Sequence, residues 1–223
     1  GSDSVYAQEA MYTFGYRDWG PMNVRLVILN VSDAASTSLA TAKDANIKTL
    51  YDLKGKRVAW VKGAPALNKA VESYLAFGGY TWDDVIKVEV GGYGASVNAM
   101  IEGQLDALNG ATNSPPFLKV EASPRGLYFP PVPHDDVEGW KRLNKVVPWF
   151  FKHKATLGAA IPKEGQEMAN TAYPILVTTS DQPEDLAYNM TKAMIEYFDE
   201  YKDASPGANG WDVKRQGFGE GFL

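Results

Sequence analysis

At 223 residues, 45% hydrophobic and 22% charged, the chain is long enough for one or two globular domains with a buried core. Its 22 Lys and Arg against 27 Asp and Glu give a net charge of -5, and no basic run carries interleaved aromatics, so nucleic acid is excluded as the expected partner; the absence of Cys excludes disulfides, thiolate metal sites and a cysteine nucleophile. No stretch approaches the ~18 uninterrupted apolar residues of a spanning helix, and Gly1-Ser2 reads as a cloning scar, so a native signal peptide is expected to have been removed.

Val24 to Asn30 is a short apolar run rich in β-branched residues and reads as a buried strand. Thr49 to Lys56 reads as a short helical turn stopped by Gly55. Arg57 to Val61 is then a second strand, and Gly63-Ala64-Pro65 breaks it before a helix over 66–77 that carries Leu67, Val71, Tyr74 and Leu75 on one face. Gly78-Gly79 ends that helix. Val85 to Val90 alternates like a strand, and Gly91-Gly92-Tyr93-Gly94 turns into a helix over 97–104 with Ser96 as its expected N-cap. Leu105 to Leu108 is a short strand, Asn109 to Ser114 a polar turn, and Pro115-Pro116 opens a helix to Ala122. Strand, turn and helix in repetition predict an open α/β sheet.

Farther on, Leu127 to Phe129 reads as a strand and Asp135 to Leu143 as a helix, followed by a Pro- and Gly-punctuated stretch over 148–174. Ile175 to Thr179 is a strand, 180–185 a cap region and Leu186 to Tyr201 the longest helix. Beyond Ser205 the chain is Gly-rich and weakly patterned.

The chemistry suggested by this layout is anion capture. In an open parallel sheet the crevice lies beyond the carboxyl ends of the strands, where helix N-termini offer unpaired N–H groups and roughly half a positive charge each. Three turns qualify: Gly63 to Asn68, Gly92 to Ser96, and Ala111 to Ser114. Catalytic patterns are missing. His134 and His153 are the two histidines and neither sits in a metal or acid-base spacing. Gly94-Ala95-Ser96-Val97-Asn98 breaks a nucleophile elbow at its last position, and Gly217 to Gly221 lacks the strand that a dinucleotide fingerprint needs. No catalytic residue, metal ligand or cofactor is expected.

Three segments in order carry a family resemblance: Ile47 to Val58, containing Asp52-Leu53-Lys54-Gly55-Lys56-Arg57-Val58; the turn Gly63-Ala64-Pro65-Ala66-Leu67-Asn68; and Met100-Ile101-Glu102-Gly103-Gln104-Leu105-Asp106-Ala107. Together the segment over 47–114 resembles the solute receptors of TRAP transporters of the TAXI type, within the type II periplasmic binding proteins. The first motif by itself occurs across many such proteins.

The resemblance implies a two-lobed α/β protein, open sheets with flanking helices, residues 3–56 plus 173–223 forming lobe I and 57–172 lobe II. It implies a periplasmic receptor, monomeric unless truncation promotes association, that holds a small organic anion between its lobes and delivers it to a TRAP membrane subunit. An amino acid such as glutamate or glutamine, or a dicarboxylate, is the ligand class it suggests. The ligand-binding residues it points to are Ala66, Leu67 and Asn68, by backbone N–H and the Asn68 amide, and Thr112, Asn113 and Ser114, one of which should cap a helix. Tyr6 and Tyr12 lie in the segment leading to the cleft, and Tyr173 is hinge or ligand wall. Ala66 and Leu67 replace the family's usual hydroxyls, which suggests an altered ligand preference. The family's opening strand-turn-helix unit and its final helix are not found, so lobe I is expected to be incomplete. An enzyme or a ligand-sensing module on the same scaffold remains the alternative.

Overall fold

The computed structural model describes residues 24–205 and 207–216. The fold is mixed α/β, sheets flanked by helices, and contacts divide the described residues into two compact units, a first holding those up to 33 and from 171 on, and a second over 34–170.

The second unit is built on one seven-stranded sheet. Its strands are β2 (Thr37–Ala42), β3 (Arg57–Val61), β4 (Ile86–Val90), β5 (Ala107–Ala111), β6 (Leu127–Tyr128), β7 (Phe151–Ala155) and β8 (Gln166–Asn170). They lie in the order β4-β3-β5-β2-β8-β7, with β6 also pairing with β2. β3 runs parallel to β4 and β5, whereas β2 runs antiparallel to β5 and β8. The helices are α1 (Pro65–Phe77), α2 (Tyr93–Ile101), α3 (Pro116–Glu121) and α4 (Val137–Val146).

The chain steps outward from β3 to β4 through α1 and returns past β3 to β5 through α2. Right-handed crossovers in opposite directions place α1 and α2 on opposite faces of the sheet. Val97 and Met100 of α2 and Phe117 and Val120 of α3 pack with Ala40, Ala59, Leu108, Phe129 and Met168 on one face. On the other, Val71, Tyr74 and Leu75 of α1 are buried, as the helical spacing predicts, while Leu67 of the same face is only half-buried; Phe77 is buried too, and α1 packs on α4. That contact is close enough that a Cβ on Gly139 would sit 2.6 Å from the Phe77 ring.

Several expectations change at this level. The central strand β2 went unseen because Thr37-Ser38-Leu39-Ala40-Thr41-Ala42 is made of small residues buried on both faces rather than alternating ones. It draws 34–56, expected with the first lobe, into the sheet of the second unit. β7 and β8 arise from the stretch left irregular. α2 begins at Tyr93 with Gly92 as N-cap, not at Ser96, whose hydroxyl turns back to donate to the Tyr93 carbonyl at 2.6 Å. Residues 109–111, expected in a turn, complete β5. None of Thr112, Asn113 or Ser114 caps α3, whose N-cap is Pro115.

The motif residues Arg57 and Asp106 meet at the end of the sheet where β3 and β5 begin. The Asp106 carboxylate, 6% exposed, accepts from Arg57 N and Nε at 3.0 Å and Nη2 at 2.6 Å, and from Arg125 Nη2 at 3.1 Å. Arg125 also pairs with Asp44 at 2.8 Å and donates to the carbonyls of Met100 and Leu105. Two of the three segments that carry the family resemblance are thus joined by ion pairs far from the strand exits, where Arg57 and Asp106 serve architecture.

The first unit holds an antiparallel pair, β1 (Val24–Leu29) with β9 (Ile175–Thr179), and the helices α5 (Glu184–Glu196) and α6 (Phe198–Tyr201). The single long helix expected over 186–201 breaks at Tyr197. Residues 207–216 are fastened to β1 and its continuation by polar side chains: Asn30 Nδ2 donates to the Gly207 carbonyl at 2.8 Å, and the Gln216 amide both accepts from Leu29 N at 2.9 Å and donates to Leu29 O at 2.8 Å. Such fastening leaves no hydrophobic period to read.

Candidate functional site

Because β3, β4 and β5 are parallel, their carboxyl ends and the turns after them share one edge of the sheet. Thr37, the first residue of β2, pairs with Ala111, the last of β5, and also with Ala169 of β8, which brings Ser36 and Thr37 to the same edge.

At the first turn, the N–H groups of Leu67 and Asn68 donate to the Ala64 carbonyl at 3.1 and 3.2 Å. The Asn68 side chain is buried: Oδ1 accepts from Val61 N at 2.8 Å and Nδ2 donates to Val61 O at 3.0 Å. This two-point clamp fixes α1 to the end of β3 and engages the amide expected for a ligand. Ala66 remains exposed. Replacing Asn68 by Leu is expected to lower stability by about 1–2 kcal/mol, since it strands the Val61 amide, while the Val61 carbonyl keeps the Ala64 N–H at 3.2 Å; urea unfolding measures this.

The third turn is organised by Thr112, which is fully buried. Its hydroxyl accepts from Ser36 N at 3.1 Å and donates to Leu157 O at 2.7 Å, while its N–H donates to Ser36 O at 2.9 Å. Gly158 lies so near that a Cβ there would run into the Thr112 carbonyl oxygen. Thr112 is therefore a structural tie rather than a free hydroxyl. Asn113, half-buried, makes no side-chain hydrogen bond among the described residues. Ser114 Oγ lies 2.9 Å from the Tyr93 hydroxyl, linking the third turn to the second.

Tyr93 lies in the second of the three qualifying turns but is not among the ligand-binding residues expected from the sequence. Burial pushes its phenol upward in pKa, and the hydrogen bond with Ser114 works against this. Gly110 makes room for it: a Cβ there would lie 2.7 Å from the Tyr93 hydroxyl and 2.5 Å from Phe117 Cζ. Gly91, Gly92 and Gly94 face open space, leaving the uncapped start of α2 approachable. Ser36 Oγ lies 2.7 Å from His153 Nδ1, a contact between residues far apart in sequence that no spacing could reveal.

The structure thus brings Tyr93, Thr112, Asn113 and Ser114 onto one rim, with the Ala66-Leu67-Asn68 turn on the same edge. Tyr173 belongs to the first unit, 69% exposed, its N–H donating to Asn30 O at 2.8 Å. Tyr6 and Tyr12 lie outside the described residues. Lys62, beside the first turn, pairs with Glu89 at 3.0 Å with both side chains largely in solvent.

The sequence model of the NMT1-like family matches residues 14–215. Among solved structures, the chain is similar to the periplasmic aliphatic sulphonate binding protein SsuA from Escherichia coli, at 20% identity over 56% of this chain and 36% of that one, with a TM-score of 0.41. It is similar to a periplasmic binding protein of an ABC transporter from Brucella ovis, described with glutathione bound, at 11% identity over 80% and 44% of the two chains and a TM-score of 0.47. An ancestral arginine-binding protein bound to arginine gives 14% identity, 81% and 61% coverage and a TM-score of 0.43. The chain spans less than two thirds of the length of each.

Proposed function

This chain belongs to the NMT1-like family, and we propose on that footing that it is an extracytoplasmic solute-binding subunit which captures a small organic anion and hands it to a membrane transporter. The observation that carries the reading is the single sheet edge on which three strand exits gather, with the hydroxyls of Tyr93 and Ser114, the Asn113 amide and the open start of α2. Hydroxyls and oriented N–H groups hold an anion without transforming it. An amino acid or a dicarboxylate is the proposed class, and a TRAP membrane subunit of the TAXI kind the proposed partner, as the motif resemblance supports. Among the described residues no helix is long and apolar enough to cross a membrane.

An enzymatic reading would rest on Ser36 and His153. Ser36 is 1% exposed, so its hydroxyl is closed to a substrate in this conformation, which favours binding over catalysis. A sensing role would bind the same solutes; a TRAP membrane subunit encoded beside this chain distinguishes transport from it.

The test is a thermal-shift and calorimetric survey of amino acids, dicarboxylates and other organic anions, with mass spectrometry of whatever co-purifies. At least one solute is expected to saturate and, at about a hundredfold its Kd, to stabilise the protein by about 2.7 kcal/mol. Absence of saturable binding across the panel overturns the proposal.

A further inference from the structure

The seven-stranded sheet of the second unit ends in two edges, β4 and β7. An edge strand leaves a row of N–H and C=O groups open to another strand, and proteins ordinarily guard it with charge. β7 is guarded in this way: laying a second copy of it antiparallel about His153 sets Lys152 against Lys154. β4 differs. It reads Ile86-Lys87-Val88-Glu89-Val90, with charges of opposite sign on either side of its central residue.

The pairing with β3 fixes which way each peptide group of β4 points. Ile86 N donates to Lys56 O at 2.8 Å, Val90 O accepts from Lys62 N at 2.9 Å, and the ladder between them is parallel without a shift in register. Hydrogen-bonding groups alternate sides along a strand, so those of Ile86, Val88 and Val90 are used on β3 and those of Lys87 and Glu89 point outward. No hydrogen bond reaches these outward groups among the described residues.

An antiparallel second copy centred on Val88 sets Lys87 opposite Glu89 of that copy. This is the pair type in which both residues exchange N–H and C=O, and both have these groups free. The side chains agree with the backbone. On one face the ammonium of Lys87 meets a carboxylate whose Oε2 already holds Lys62 at 3.0 Å and whose Oε1 is available. On the other face Ile86, 55% exposed, falls opposite Val90, and Val88 opposite itself, extending the apolar row in which Val88 and Val90 pack on the core under α2. Beyond Val90, Gly91 and Gly92 face open space, so the turn leaves room for the approach.

We infer that β4 is an interface for a second copy of this chain, joined antiparallel through Lys87–Glu89 pairs so that the sheet continues across a two-fold axis. Such an interface must be complementary to itself, and β4 is where β7 is not. The dimer replaces the monomer implied by the family resemblance and does not depend on which solute is bound. Five-residue strands bury little area, which places it in the weak, reversible class.

Sedimentation equilibrium from about 10 µM to 1 mM is expected to show a reversible dimer with a Kd on the order of 100 µM. A monomer throughout that range overturns the inference. Lys87→Glu and Glu89→Lys each set like charges opposite one another and should weaken association by about tenfold or more. Two combinations should restore it: the double variant Lys87→Glu with Glu89→Lys, and an equimolar mixture of the two single variants, in which every pair is again of opposite sign. Restoration requires folded chains, so it separates lost pairing from lost fold. A dimer indifferent to the single reversals, or one that neither combination restores, overturns the inference.

Discussion

Asp106→Ala is expected to destabilise the protein by about 3 kcal/mol or more, the range for removing one partner of a buried charge pair. The carboxylate is the shared acceptor of Arg57 and Arg125, and the Arg125 side chain is only 12% exposed. Its loss leaves two guanidinium groups facing each other with Asp44, half in solvent, as the remaining counter-charge. The same group sets an acid limit. Burial raises the Asp106 pKa, but the bonds from Arg57 and Arg125 outweigh it and hold the carboxyl below its usual range. A carboxyl depressed in the folded state contributes stability above its unfolded pKa of about 4, and that contribution is lost as pH falls through the folded value. Urea unfolding at a series of pH values should show the wild type losing stability below about pH 4, with Asp106→Asn less stable at neutrality and flatter across the acid range. A variant as stable as wild type at pH 7 would show that the ion pairs contribute nothing.

Gly110→Ala is expected to cost about 2–3 kcal/mol and to disturb the rim as well. Its Cβ would overlap both the Phe117 ring and the Tyr93 hydroxyl, and Phe117 is fully buried with no space to retreat into. Since β5 is interior to the sheet, its backbone cannot move away without breaking its pairing with β2. Relief therefore comes from Tyr93, whose displacement opens the contact with Ser114. Tyr93→Phe in the wild-type background separates the effects: it should leave stability within about 1 kcal/mol, while sharing whatever loss of solute affinity Gly110→Ala shows. Equal affinity in both variants and the wild type would remove Tyr93 from the site.

Hydrophobic period and Gly or Pro punctuation made β3, α1, β4 and the opening of α3 legible. Val71, Tyr74 and Leu75 fall on the buried face of α1 for that reason, and Pro65 and Pro116 stand in the first turns of their helices. β2 was not legible, because Ala40, Thr41 and Ala42 are small enough to be buried on both sides and so carry no alternation. β7 was hidden for a different reason: Lys152 and Lys154 face solvent on a strand at the edge of the sheet, where charge guards against unwanted pairing, and they break up the apolar run.

At the site, the strand exits could be placed from the sequence, but not what their side chains do. Asn68 looks identical as a ligand amide and as a clamp until Val61 is seen beside it. Thr112 has the same ambiguity with Ser36 and Leu157. Asn113 and Ser114 stand at the strand exit without such ties to the core, and Ser114 meets Tyr93 across a turn that sequence spacing does not connect.

The antiparallel course of β2 bears on how the second unit could be inherited and folded. Its first strand and its last helix-free strand, β8, begin and end at adjacent positions: Thr37 N donates to Asn170 Oδ1, and Asn170 Nδ2 donates to the Ala35 carbonyl. A segment of chain whose two ends are laced together this way is an insertion in the topological sense. Closing it into a loop restricts the surrounding polypeptide little more than a tight turn would, so residues 34–170 can collapse on their own schedule while the flanking pieces, separated by that whole length in sequence, find each other as though they were near neighbours.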